Sequence, residues 1–197
     1  MEIQGVIFDF DGVVRHFDAD FVPALERRYG LPEGAIHYAA FSQPLLTELT
    51  TGGLARREWA RRVGELIGSP EAAEEWAHSP TSADREVLAL VDELRAKGRT
   101  VAVLTNGTDE SRAEAAELGV LEHFDAFFNS ADIGYAKPDP RVFKYVLTQL
   151  SLEGPEVFFT DDSASNLPGA EELGMLTQHF ISVTDLRVAL QQVGILI

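Results

Sequence analysis

Cysteine is absent from this chain of 197 residues, which excludes disulfides and any thiolate metal centre. Basic side chains are scarce. Sixteen Lys and Arg stand against 32 Asp and Glu, giving a net charge of −16. Such a field disfavours nucleic acid or an anionic membrane as the main partner. No apolar run approaches the length of a membrane span. The opening Met1-Glu2-Ile3-Gln4 lacks the basic, then apolar pattern of a secretory leader, so a cytoplasmic location is expected. Internal repeats and low-complexity tracts are missing too. What remains is 45% apolar residues and enough length for a core, which describes a globular protein of one domain, or one domain with an insert.

The charge is unevenly spread. Residues 15–83 hold seven arginines and ten acids, so most of the excess acid lies elsewhere. If the substrate is an anion, that acidic remainder must offset its own field with a metal ion.

Short apolar runs recur, and each ends in polar residues. Gly5-Val6-Ile7-Phe8 leads into Asp9-Phe10-Asp11-Gly12, and Val101 to Leu104 into Thr105-Asn106-Gly107. Ala126 to Phe128 leads into Asn129-Ser130, and Val157 to Phe159 into Thr160-Asp161-Asp162. Leu176 to Ile181 is a weaker fifth run. Continuous apolar runs suit strands covered on both faces. Helix-like stripes lie between them. Val87, Leu88, Val91 and Leu94 form one, and Phe143, Val146, Leu147 and Leu150 another, with Asp139-Pro140 as its start. Residues 109–118 and 184–193 are further candidates. This alternation predicts an α/β fold: a Rossmann-like, doubly wound parallel sheet formed by residues 1–14 and 84–197. Residues 15–83 show helical periodicity without a convincing strand and are expected to form a small inserted helical domain.

Ligands of open parallel sheets bind beyond the carboxyl ends of the strands. Asp9, Thr105 and the Asp161-Asp162 pair all fall there. Asp9 and Asp11 project to one side of an extended segment. One carboxylate could attack phosphorus while the other handles the proton of the leaving oxygen. The bland alternative is a strand ending in a solvated acidic turn. Asp161 and Asp162 offer hard oxygen ligands for magnesium, although an acidic helix start would look the same. Thr105, Asn106 and the backbone that follows could cradle a phosphate, as could any strand-to-helix turn. Lys137 is one of three lysines, and its ammonium could neutralise a transferring phosphoryl group. Arg15 and His16 could touch substrate. Trp59 reads as core, and Arg56-Arg57 and Arg61-Arg62 as a solvated face or, alternatively, as recognition of an anionic leaving group.

Taken in order, Asp9-Phe10-Asp11-Gly12, Thr105-Asn106-Gly107, Lys137-Pro138 and Asp161-Asp162 resemble the signature of the haloacid dehalogenase-like hydrolases. The phrase Phe158 to Asn166 adds a likeness to capped sugar-phosphate phosphatases and to the N-terminal phosphatase domain of bifunctional epoxide hydrolases. The resemblance implies a phosphatase for a small phosphorylated metabolite such as a sugar phosphate, acting through an aspartyl-phosphate. It implies Asp9 as nucleophile, Asp11 as general acid and base, Thr105 and Asn106 as phosphoryl binders, and Lys137 as the charge holder. Asp9, the Asp11 carbonyl and Asp162, as the main ligand of the Asp161-Asp162 pair, would hold Mg2+, with Asp161 either coordinating it or bonding to Lys137, and residues 15–83 would be the cap. A phosphomutase or a non-catalytic relative remains an alternative, and the chain is expected as a monomer or homodimer. Asp11 argues against the metal-free dehalogenases, and the lack of lysine in residues 15–83 against the phosphonate-cleaving branch.

Overall fold

The computed structural model describes residues 2–196. Five parallel strands form the central sheet: β1 (Gly5–Phe8), β4 (Thr100–Thr105), β5 (Ala126–Asn129), β6 (Val157–Asp161) and β7 (Leu176–His179). They lie in the order β5-β4-β1-β6-β7, so the chain winds outward in one direction and then returns to the other side of β1. This is the doubly wound α/β sheet that the apolar runs predict.

Alternation along β1 feeds both faces. Val6 and Phe8 point into one layer with α6 (Arg85–Ala96) and α11 (Val183–Gln192). Ile7 points into the other, with α9 (Pro140–Leu150) and α10 (Pro168–Glu172). Asp84 caps α6 by accepting from the Glu86 and Val87 N–H groups, as its residue type favours. α7 (Ser111–Glu117) and the single turn α8 (Ser130–Ile133) complete the crossovers.

Register then fixes the site. Phe8 lies beside Val103 on β4 and Thr160 on β6. Asp9 N–H donates to Thr160 O at 2.9 Å, which carries the alignment one residue further and sets Asp9 against Asp161.

Residues 15–83 begin and end differently from the expectation. Arg15–Phe17 (β2) and Thr81–Ala83 (β3) form a two-stranded antiparallel ribbon. Three residues are too few to show a period, and the pairing exists only once the two ends of the segment meet. Between them lie five helices: α1 (Phe21–Tyr29), α2 (Ala35–Ala40), α3 (Leu45–Thr50), α4 (Arg56–Ile67) and α5 (Pro70–Ala77). They enclose their own core of Ala39, Ala40, Leu45, Leu49, Trp59 and Val63.

One buried acid organises this helical unit. Glu26 is 3% exposed, and its carboxylate accepts from Gly34 N–H at 2.8 Å and Ile36 N–H at 3.0 Å. It thereby satisfies the orphan donors at the start of α2. Glu26→Ala is expected to cost about 1–3 kcal/mol, because two inward N–H groups lose their acceptor. A denaturant titration that finds no loss would refute this role.

Among the described residues, no helix is long and apolar enough to cross a membrane.

Candidate active site

Phe10 explains how the first motif is aimed. Its ring is fully buried and meets Phe127 edge-on at 5.4 Å. Anchoring Phe10 in the core turns its neighbours, Asp9 and Asp11, toward the opposite side, where both line one cavity. Asp9, Thr105 and Asp161 then converge from the adjacent ends of β1, β4 and β6.

Lys137 arrives from the loop before α9 and is wholly enclosed. Its ammonium donates to Asp9 Oδ1 at 2.6 Å, Asp161 Oδ2 at 2.6 Å and Leu104 O at 2.9 Å. All three protons of the –NH3+ group are used. The backbone of Lys137 is clamped as well. Asn106 Oδ1 accepts from its N–H at 2.8 Å, and Asn106 Nδ2 donates to its carbonyl at 2.9 Å. The side chain of Asn106 is therefore engaged with Lys137, an arrangement that its place after β4 did not foretell.

Asp161 and Asp162 differ sharply. Asp161 is fully buried and accepts from Lys137, from Ser163 N–H at 2.8 Å and from Asn166 Nδ2 at 3.0 Å. Asp162 is exposed on the cavity side. Partial desolvation on its inner side, with Asp161 adding repulsion, raises its carboxyl.

Burial raises Asp9 too, to about 7, and Asp161 adds to the rise while Lys137 opposes it. The same two carboxylates, outweighing the effect of burial, raise Lys137. The two shifts agree on one point: Lys137 stays charged and is insufficient by itself. Oxygens of Asp9, Asp161 and Asp162 lie within 4.8 Å of one another. When all three carboxylates are ionised, one ammonium leaves two negative charges uncompensated. Hard oxygen donors carrying that excess fit a divalent cation.

Gly12 holds the loop after Asp11 close to this cluster. Its φ is +85°, and a Cβ there would stand 2.1 Å from Asp162 Oδ2. Gly12→Ala is expected to displace the Asp162 carboxylate and strain the turn, at a cost of about 1–3 kcal/mol. It should also weaken magnesium binding by about tenfold or more. Unchanged metal affinity by calorimetry would show that Asp162 moves aside freely.

A chain of ion pairs extends from Asp11. Its Oδ1 accepts from Arg15 Nε at 2.5 Å, and Arg15 Nη1 donates to Glu114 Oε2 at 2.7 Å. The Arg15 guanidinium lies over the rings of Phe10 and Phe17, at 4.7 and 5.0 Å. Glu114 also pairs with Arg56, the first residue of α4, whose N–H donates to Asp109 Oδ1 at 2.8 Å. The helical unit thus touches the sheet domain through salt bridges beside the site. A second contact runs from Ser130 Oγ to Thr50 O at 2.6 Å.

The remaining sequence candidates divide. His16 pairs with Asp84 at 3.0 Å and is not among the residues lining the cavity. Arg61 and Arg62 pair with Glu58, Glu65 and Glu48 on the surface, as the solvated-face reading has it. Trp59 is core, and it also lines the cavity. Glu114 and Arg56 were not separable from other surface charges in the sequence, because their partners lie on distant segments.

A buried carboxylate–lysine centre at the carboxyl edge of a doubly wound parallel sheet marks an α/β enzyme. The chain belongs to the haloacid dehalogenase-like hydrolases, whose family model matches residues 3–174. It is 26% identical to D-ribitol-5-phosphate phosphatase of Bacteroides thetaiotaomicron over 189 residues, covering 89% of this chain and 90% of that protein. It is 27% identical to bifunctional epoxide hydrolase 2 of Sus scrofa over 98% of its own length, and spans only 38% of that longer protein. Among solved structures, a haloacid dehalogenase family enzyme of Bacteroides thetaiotaomicron in complex with magnesium and inorganic phosphate superposes with a TM-score of 0.75. That match is 22% identical and covers 93% of this chain and 98% of the other, so it shows a shared fold.

Proposed function

We propose that the protein is a magnesium-dependent phosphatase for a small phosphorylated metabolite, working through an aspartyl-phosphate on Asp9. One observation carries the reading: Lys137 holds Asp9 and Asp161 beneath an open cavity of about 510 Å³, with a third carboxylate, Asp162, beside them. Phosphatase relatives such as the ribitol-phosphate enzyme support the reaction class.

The roles follow from who is free. Asp9 Oδ1 is fixed by Lys137, which leaves Oδ2 to attack phosphorus in line with the leaving oxygen. Asp11, at the cavity edge, gives that oxygen its proton and then takes one from the water that cleaves the acyl phosphate. The Lys137 ammonium offsets charge between Asp9 and the phosphoryl group. Thr105 contributes its hydroxyl. Asn106 contributes its backbone N–H, since its side chain is spent on Lys137. Asp9, Asp162 and the Asp11 carbonyl would hold the magnesium ion. Asp161, saturated with hydrogen bonds, orients Lys137 from behind. When bound, the ion supplies charge neutralisation for phosphate and carboxylates together. Residues 15–83 act as a cap, tied to the sheet domain through Arg56 and Thr50, that limits water during the first step.

The test is phosphate release from a panel of phosphate monoesters, with magnesium and with EDTA. Release that needs magnesium, together with a beryllofluoride adduct at Asp9, is the expected result. No release from any ester under either condition sinks the phosphatase reading.

A further inference from the structure

The cavity over Asp9 has two unlike halves. Its floor is the polar cluster already described. Its walls, contributed by the helical unit, are apolar: Val22, Phe41, Leu46, Leu49, Trp59 and Trp76. Phe17 completes them from β2. Phe17 and Phe41 are 49% and 47% exposed, so two phenyl rings, with Arg15 over one and His37 against the other, still present apolar surface to solvent at the cavity.

Polar groups on these walls are few and mostly occupied; the Asp18 carboxylate, which accepts from Asp20 N–H, and the His37 ring nitrogens are the exceptions. Trp59 Nε1 donates to Ala40 O at 3.0 Å. Thr50 Oγ1 donates to Leu46 O at 2.9 Å, and Ser79 Oγ donates to Trp76 O at 2.5 Å. His37 packs its ring on Phe41 at 4.5 Å. The cations are committed as well: Arg15 to Asp11 and Glu114, Arg56 to Glu114, and Lys137 to Asp9 and Asp161. A second phosphate or carboxylate would find no free arginine or lysine among the described residues that line this cavity.

We infer, resting on the phosphatase reading, that the substrate is the phosphate monoester of an apolar alcohol, alkyl or aryl, and not a sugar phosphate. A polyol leaving group would surrender water for walls that return few hydrogen bonds, and each unpaired hydroxyl is costly. An alkyl or aryl group instead removes its own surface, and that of Phe17 and Phe41, from water. Each buried methylene is worth about three- to fourfold in affinity. Discrimination therefore lies in the wall, while the floor handles any phosphoryl head alike.

The test uses n-alkylphosphonates, which bind as phosphoryl heads and cannot be hydrolysed. Trp59 and Trp76 are the chain's two tryptophans, and both line the wall, so their fluorescence reports binding directly. Kd is expected to fall by about 30-fold or more from methyl- to hexylphosphonate. Phe41→Asp is expected to flatten that series. In turnover, hexyl phosphate should exceed ribitol 5-phosphate and glucose 6-phosphate in kcat/KM by about tenfold or more. A flat phosphonate series overturns the inference even if phosphate is released from other esters. So does a sugar phosphate that outruns hexyl phosphate, or a steep series that Phe41→Asp leaves steep. A steep series with no phosphate released from any ester supports the apolar-tailed ligand and removes the phosphatase reading instead.

Discussion

Lys137→Met is expected to cost both folding and function, and the folding loss should depend on pH. The ammonium has no exposed surface and holds two buried carboxylates at 2.6 Å each. Methionine keeps most of the stem and so fills the channel past Phe159, whose ring centre lies 5.5 Å from Nζ. What it removes is the charge. Breaking a buried pair from one side typically costs about 3–5 kcal/mol. For a chain of this size that is a fall in Tm of about 10 °C or more. The sign with pH follows from Asp9, whose folded pKa is already raised from 3.8 to about 7. A carboxyl raised in the folded state takes its proton there first, so acid favours the fold. Without Lys137 the rise is larger. The deficit should be smaller and level below about pH 7, where Asp9 is protonated in both folded proteins, and should widen above it. Melting curves in EDTA at pH 8 and pH 5 check this, and equal deficits at both would mean that the loss does not run through the titration of Asp9. On the proposed mechanism, phosphate release should fall by about 10³-fold, because Lys137 would face the developing phosphoryl charge.

Much of the centre was legible because parallel sheets concentrate information at one edge. Asp9, Thr105 and Asp161 each close an apolar run, and placing the runs side by side gathers them without any side-chain detail. Lys137 was legible through rarity. Its clamp by Asn106 was not, because a strand-end amide looks alike whether it faces a ligand or a neighbouring loop. The ribbon of β2 and β3 was hidden by its length, since three residues carry no period. The four arginines of α4 read as one face, yet Arg56 alone is tied to the sheet domain through Glu114 and Asp109. Nothing local distinguishes it from Arg57, because its partners lie more than fifty residues along the chain, where only the fold can bring them. Glu26 escaped for the opposite reason. Acids in a helix next to arginines are expected at the surface, and only the close approach of the α2 start turns this one inward.

Asp9→Asn is expected to abolish turnover while making the metal-free protein more stable, a pairing that few other positions should show. The amide oxygen can still accept from Lys137, so the geometry of the centre survives. On the proposed mechanism the attacking oxygen does not, and loss of a nucleophile lowers kcat by about 10⁴-fold or more. Stability moves the other way because the wild-type centre carries more acid than its one ammonium can offset. Above pH 7 the native state must hold Asp9 as a bare carboxylate at a site where its pKa is about 7, against 3.8 for the free side chain. Asparagine removes that burden, worth about 1–4 kcal/mol at pH 8. Near pH 5 the gap should close, since wild-type Asp9 already carries its proton when folded. Magnesium should also narrow it, because wild type then gains a counter-charge that the variant needs less. Melting curves at pH 5 and 8, each with EDTA and with magnesium, separate these effects. Full phosphate release by the variant would remove Asp9 as nucleophile. A variant no more stable than wild type in EDTA at pH 8 would show instead that the excess charge is relieved by water or by movement of Asp162.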